Sequence, residues 1–257
     1  MDRYNVEKAI ITTINRTKYH RVQREVASNE EESSKLNKFM DDFKSMMNPD
    51  QLDHSDVKEL AKMAPERFYK CFWFNPNMNP EQEEADYKIL EDHFKEGFCG
   101  VKIHSGFHVI KIPKDILTLV SFMQDFDENI LFYIHSIPKT GFFNGVSCKD
   151  IANLAERFPK LRIIVGHAAN TMTYAVEVGM ILNKYENIYY ETSCSVSFGI
   201  YNLIKTLGHE KILFGSDSPT ASTLPIEIDK ILSLPRIPNE IKQDILYNNV
   251  NKLLETV

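Results

Sequence analysis

The sequence predicts an α/β fold of serial parallel β/α units, a (β/α)8 TIM-barrel-like architecture missing its first strand. Three observations carry this. Seven short apolar runs rich in β-branched and aromatic residues recur along the chain. Helical patterns, apolar at i, i+3, i+4 and i+7, lie between them. From the second run onward the interval is about 25–31 residues, the span of one strand and one crossover helix.

The runs are Ala9–Thr13 (AIITT), Phe68–Phe74 (FYKCFWF), Gly100–His104 (GVKIH), Ile130–His135 (ILFYIH), Arg162–Gly166 (RIIVG), Asn187–Glu191 (NIYYE) and Lys211–Gly215 (KILFG). Several are apolar at nearly every position, the habit of parallel strands buried on both faces. The helices follow from caps and spacing. Asn79 is an N-cap, Pro80 suits the first turn, and Tyr87, Leu90 and Phe94 precede a stop at Gly97. Ile116, Leu119, Val120 and Met123 form the next stripe. Ile151, Leu154, Ala155 and Phe158 form another, with Ser147 and Asp150 placed as a capping-box variant and Pro159 ending it. Thr171–Lys184, Pro225–Leu232 and Asn239–Glu255 read as three more helices.

The stretch from His20 to about Pro65 is too long for one connection. It reads as an excursion at about 20–65 from a single domain over residues 1–257, either a lid at a barrel mouth or an extra surface helix pair. A doubly wound open sheet is the rival fold. No Gly-rich turn follows any run, which weakens its dinucleotide-binding form.

Composition bounds the function. The 257 residues carry 30 Lys+Arg against 36 Asp+Glu, a net charge of −6, and no basic stripe. That argues against nucleic acid as a partner. No apolar run approaches the roughly 18 residues of a membrane span, and the opening residues lack the apolar core of a signal peptide. Cys71, Cys99, Cys148 and Cys194 are scattered with no CxxC, which fits a cytoplasmic protein with reduced thiols.

Functional side chains of parallel barrels gather at the carboxyl ends of strands. Those positions hold Lys102 and His104, then His135, His167, Glu191 to Ser193, and Asp217 in GSDSP. Imidazole and carboxylate are ordinary ligands of Zn²⁺ and similar ions, and separate strands can aim them at one point. Each also has a plainer reading. His135 alone suits a core histidine, His167 a cap on the following helix, and Asp217 an N-cap. Lys102 and His104, two apart, face one side of a strand. Lys102 is either a buried paired lysine or a binder of a substrate carboxylate, and His104 a pocket wall or an added ligand. His20 and His108 follow strands and are candidates for the mouth. His54, His93 and His209 read as structural, His54 and His209 in polar surroundings. Phe107, Phe142, Phe143 and Tyr174 are candidates for pocket lining or for packing between helices.

The blocks RFYKCFWFNPN, GFCGVKIHSGF, ILFYIHS, RIIVGHAA, NIYYETS, KILFGSDSP and ILYNNVNKLL resemble the amidohydrolase-related family, over about residues 1 to 254. That family includes metal-dependent hydrolases and non-oxidative decarboxylases of the aminocarboxymuconate-semialdehyde decarboxylase type. The resemblance implies a divalent ion, most often Zn²⁺, at the barrel mouth. It implies His135 and Asp217 as metal ligands, with Asp217 also a proton shuttle. It implies His167 as a ligand or a group acting on substrate. Lys102 stands where some relatives hold a residue that touches substrate or metal. The implied activity is hydrolysis of a small carbonyl- or carboxylate-containing substrate by a metal-activated water, with decarboxylation as the alternative.

One departure is serious. The family's first strand carries a His-x-His pair of ligands, and no such pair occurs in this chain. Either the true start lies upstream or the chain is a trimmed paralogue. Trimming would weaken metal binding and expose barrel edges, favouring a homodimer. A catalytically impaired remnant that binds or assembles, and a metal-free enzyme using Lys102 as a Schiff-base amine, are the rival classes.

Overall fold

The computed structural model describes residues 1–13, 51, 53–76, 81–108, 110–138 and 145–255, apart from the side chain of Phe107. Most of the 20–65 excursion, with His20, Asn79, Pro80, Phe142 and Phe143, lies outside them. Two compact units emerge: Lys8–Ile110, and Met1–Glu7 with Lys111–Val257. Among the described residues every strand pairing within each unit is parallel.

The Lys8–Ile110 unit runs β1 (Ala9–Thr12), α1 (Ser55–Met63), β2 (Phe68–Trp73), α2 (Glu83–Lys95) and β3 (Phe98–His104), with β2 paired to both neighbours. All seven residues of β3 are buried, Lys102 and His104 included, the habit of parallel strands covered on both faces. Helix α2 buries Leu90 and Phe94. It stops at Gly97, whose φ of 80° suits glycine and whose N–H bonds the Phe94 carbonyl at 2.9 Å. His54 corrects its expected polar setting. It is buried, stacks on Phe72 at 4.0 Å between ring centroids, and accepts the Trp73 backbone N–H at 2.8 Å.

The other unit runs α3 (Leu117–Phe126), β4 (Leu131–His135), α4 (Cys148–Arg157), β5 (Arg162–Gly166), α5 (Met172–Ile181), β6 (Ile188–Glu191), α6 (Ser197–Leu207), β7 (Ile212–Leu213), α7 (Leu224–Leu232) and a last helix, α8. Strand order follows chain order from β4 to β7. The expected capping box opens α4: Ser147 Oγ accepts the Asp150 N–H at 3.2 Å, and the Asp150 carboxylate accepts the Ser147 N–H at 3.3 Å. Helix α6 had no sequence expectation.

Helix α8 is not continuous, against the reading of Asn239–Glu255 as one helix. A π-helical turn at Asp244–Asn248 separates α-helical Asn239–Gln243 from Asn249–Leu254. The turn lets the Ile245 carbonyl accept the Phe214 N–H at 3.0 Å, and Asn249 Nδ2 bonds the His209 and Ile212 carbonyls. The outer edge of β7 is thereby tied to α8 rather than left as bare backbone. No described helix is long and apolar enough to cross a membrane. All four cysteines are free.

Candidate active site and metal centre

The carboxyl ends of β4 to β7 bring together residues far apart in the chain. His135 closes β4, His167 follows β5, Ser193 and Cys194 follow β6, and Asp217 follows β7. The imidazoles of His135 and His167 meet, with Nδ1 of one 3.0 Å from Nε2 of the other. One ligand atom each from His167, Cys194 and Asp217 lies within 4.8 Å of the others. His167 is buried, while His135, Cys194 and Asp217 are partly exposed.

The plainer readings of two residues fail here. Helix α5 is capped by Thr171, whose side chain accepts the Tyr174 N–H, and not by His167. Helix α7 begins at Leu224 behind Thr223, well past Asp217. The Asp217 backbone carbonyl instead accepts the N–H groups of Thr220 and Ala221, which fixes the loop and leaves the carboxylate to the cluster.

A hydrogen-bond chain orients His167. Its Nδ1 lies 3.0 Å from the Ser193 carbonyl and 2.9 Å from Ser193 Oγ, so the proton belongs on Nδ1 and the Nε2 lone pair faces the site. Ser193 Oγ in turn donates to Glu191 Oε2 at 2.9 Å. Glu191 is the hub. It is buried and also accepts Tyr133 Oη–H at 2.6 Å, His167 N–H at 3.1 Å and Ser193 N–H at 2.7 Å. Burial pushes its pKa up, but the adjacent His167 imidazole and the hydrogen bonds from Tyr133 and Ser193 outweigh that and hold it below the usual range. Two glycines make room. A Cβ on Gly166 would lie 2.5 Å from the Tyr133 ring, and one on Gly215 would lie 1.4 Å from Glu191 Oε1.

His167, Cys194 and Asp217 share one more property. Their φ angles are 57°, 54° and 46°, in the left-handed region that costs a side-chain-bearing residue energy. Five non-glycine residues among those described adopt it, and three of them are this trio. Glycine would relieve the strain and supply no donor. Held strain at one cluster points to function.

These residues fit a divalent cation. The donors are nitrogen, sulfur and oxygen, the set that tetrahedral Zn²⁺ sites use. His167 presents Nε2 while its other nitrogen is tied to a carbonyl and to a hydroxyl leading to a carboxylate, the usual support of a metal-binding imidazole. The same lone pair takes either the proton of His135 or an ion. His135, in its other tautomer, offers Nδ1 as a further donor.

Lys102 and His104 lie on β3, in the Lys8–Ile110 unit. Both are buried against Trp73. Lys102 Nζ sits 5.7 Å from the Trp73 ring centroid, and the His104 ring 5.8 Å from it. His108, expected as a mouth candidate, is buried beneath them. Its Nε2 accepts Trp73 Nε1–H at 3.0 Å, and its Nδ1 faces the His104 N–H at 3.3 Å. Burial drives its pKa down to about 3. An unfolded chain takes up this proton near pH 6.5. The neutral ring therefore contributes stability that is whole above pH 6.5 and is lost as pH falls towards 3. His108→Gln, which keeps an acceptor for Trp73, should flatten the acid limb of the urea-unfolding midpoint between those values. An unchanged limb would count against it.

Three residues of this cluster escaped sequence reasoning. Glu191 and Ser193 stood out only as strand-end residues, with no role. Cys194 stood among scattered cysteines, although it directly follows Ser193, three residues past the end of β6. Tyr174 is buried on α5.

The amidohydrolase family model matches residues 17–255. No curated protein matches the chain by sequence. Several solved structures are similar. An uncharacterized TIM-barrel protein from Bordetella bronchiseptica shares 16% identity, covering 97% of this chain and 99% of its own, with a TM-score of 0.65. A probable 2-pyrone-4,6-dicarboxylic acid hydrolase from Acinetobacter baumannii, with citric acid bound, shares 12%, covering 99% and 85%, at 0.62. A 5-carboxyvanillate decarboxylase from Novosphingobium aromaticivorans, with manganese and 3-methoxy-4-hydroxy-5-nitrobenzoic acid bound, shares 14%, covering 99% and 79%, at 0.62. At such identities the likeness shows the fold alone, and that fold is the TIM-barrel-like α/β class the sequence predicts.

Proposed function

Because the chain belongs to the amidohydrolase family, we propose that it is a metal-dependent hydrolase of a small substrate bearing a carbonyl or carboxylate group. The observation that carries this reading is the meeting of His167, Cys194 and Asp217 ligand atoms within 4.8 Å, beside His135. His135, His167 and Asp217 are assigned to the ion, and Zn²⁺ is the ion proposed. A divalent cation held there would polarise a substrate oxygen and ease the loss of a proton from water.

The chain's own residues do the rest. Asp217, partly exposed and on a loop pinned by its backbone, accepts the proton of the attacking water and returns it to the leaving atom. His167 cannot donate from Nε2 while Nδ1 holds its proton against Ser193, so its part is to hold charge in place. The Glu191 carboxylate strengthens that donor from behind. On the family pattern, Lys102 is assigned to a substrate carboxylate through a charged hydrogen bond, with His104 beside it.

Decarboxylation is the second reading, favoured by the neighbour that is a 5-carboxyvanillate decarboxylase. There Asp217 would pass a proton to the carbon that loses CO₂. A panel of pyrone and lactone carboxylates and of hydroxybenzoates, given to zinc-loaded protein, separates the two. Ring opening without CO₂ supports hydrolysis, and CO₂ release supports the second reading. No turnover with either class, on protein shown to hold zinc, would overturn the enzymatic reading in favour of a binding role.

A further inference from the structure

We propose that Cys194 supplies a thiolate ligand to the ion, and that this makes the centre select zinc and other thiophilic cations over manganese and magnesium. The inference rests on the metal-dependent reading above and adds to it a donor that the sequence pattern did not assign.

Geometry is the first support. Cys194 Sγ lies 3.8 Å from Asp217 Oδ2. Two ligands sharing a tetrahedral zinc, with bonds of about 2.3 Å to sulfur and about 2.0 Å to oxygen, stand about 3.5 Å apart. The observed spacing needs only a few tenths of an ångström of closure. The thiol sulfur and a carboxylate oxygen of Asp217 also lie within 4.8 Å of a ring nitrogen of buried His167.

Position is the second support. Cys194 directly follows Ser193, whose carbonyl and hydroxyl both meet His167 Nδ1 and whose N–H is tied to Glu191. The residue that orients the imidazole thus also sets where the thiol begins. The left-handed backbone at Cys194 aims the side chain from that point, at a cost that glycine would avoid.

The chemistry follows from the donor. A thiolate is soft and polarisable, and with imidazole it favours Zn²⁺, whereas Mn²⁺ and Mg²⁺ prefer oxygen donors. The chain has no His-x-His pair. Cys194 gives it a fourth protein donor beside His135, His167 and Asp217. On binding, the thiol proton passes to solvent as the metal–sulfur bond forms.

Cobalt(II) titration of the metal-free full-length protein tests this without any assay of activity. The expected result is a set of visible d–d bands and a near-ultraviolet sulfur-to-cobalt charge-transfer band, saturating together at one equivalent. Zinc should remove both, and an equal excess of manganese should not. Cys194→Ser should keep the visible bands, lose the charge-transfer band and weaken zinc binding roughly tenfold or more. On wild-type protein, zinc should slow alkylation of Cys194 by about the same factor, with buried Cys71, Cys99 and Cys148 as internal controls; this arm holds even if the variant misfolds. Visible bands without a charge-transfer band, a charge-transfer band unchanged in Cys194→Ser, or alkylation indifferent to zinc would overturn thiolate ligation and leave the metal site standing. Failure of cobalt and zinc to bind at all would overturn both.

Discussion

Asp217→Asn should lower kcat/KM by about 10²–10⁴-fold on whichever substrate the panel identifies. The carboxamide keeps the shape of the side chain but neither takes a proton from water nor carries charge. The loop should survive the change, because it is held by the Asp217 backbone carbonyl through Thr220 and Ala221. Assays at saturating zinc separate lost proton transfer from lost metal. The unfolding midpoint should move little, as expected for a partly exposed side chain whose loop is fixed by main chain. Retention of more than a tenth of wild-type kcat/KM would remove Asp217 from the chemistry.

Gly215→Ala should be the most damaging small substitution near the site. The added Cβ would lie 1.4 Å from Glu191 Oε1 and 2.3 Å from its Cδ. Glu191 has nowhere cheap to go, since its oxygens accept hydrogen bonds from Tyr133, His167 and Ser193. Shifting it leaves a buried carboxylate short of partners. Breaking a buried charged network of this kind costs about 3–5 kcal/mol. The loss reaches the site as well, because the carboxylate supports the Ser193 hydroxyl, which meets His167 Nδ1. Zinc affinity should fall by about 10–100-fold in whatever fraction stays folded. Urea unfolding and zinc titration of the variant check both parts. A midpoint within error of wild type would show that the close approach is relieved elsewhere.

The strands were legible because short runs rich in apolar, β-branched and aromatic residues mark them, and each observed strand falls within or beside its expected run. The Ser147 cap was legible because it needs only two side chains three residues apart. Helix α6 was not read, although it buries Ile200, Leu203 and Ile204 at helical spacing. It opens at Val196 with no side-chain cap, and Gly199 lowers its helix propensity. Tertiary structure explains that glycine, since a Cβ there would lie 3.0 Å from the Cβ of Ala169. The π-helical turn in α8 was hidden for the same kind of reason, because its purpose is a bond to Phe214 across the fold.

By itself the sequence determined the order of parallel β/α units, the family, and the residue types waiting at the strand ends, since each depends on a pattern within a few neighbouring residues. Only the tertiary structure decided that Cys194 stands with His167 and Asp217, that Glu191 governs the imidazole through Ser193, and that Lys102 packs on Trp73. Those choices depend on distances between residues more than twenty positions apart and on the sign of φ at single residues. Neither leaves a periodic trace in the chain.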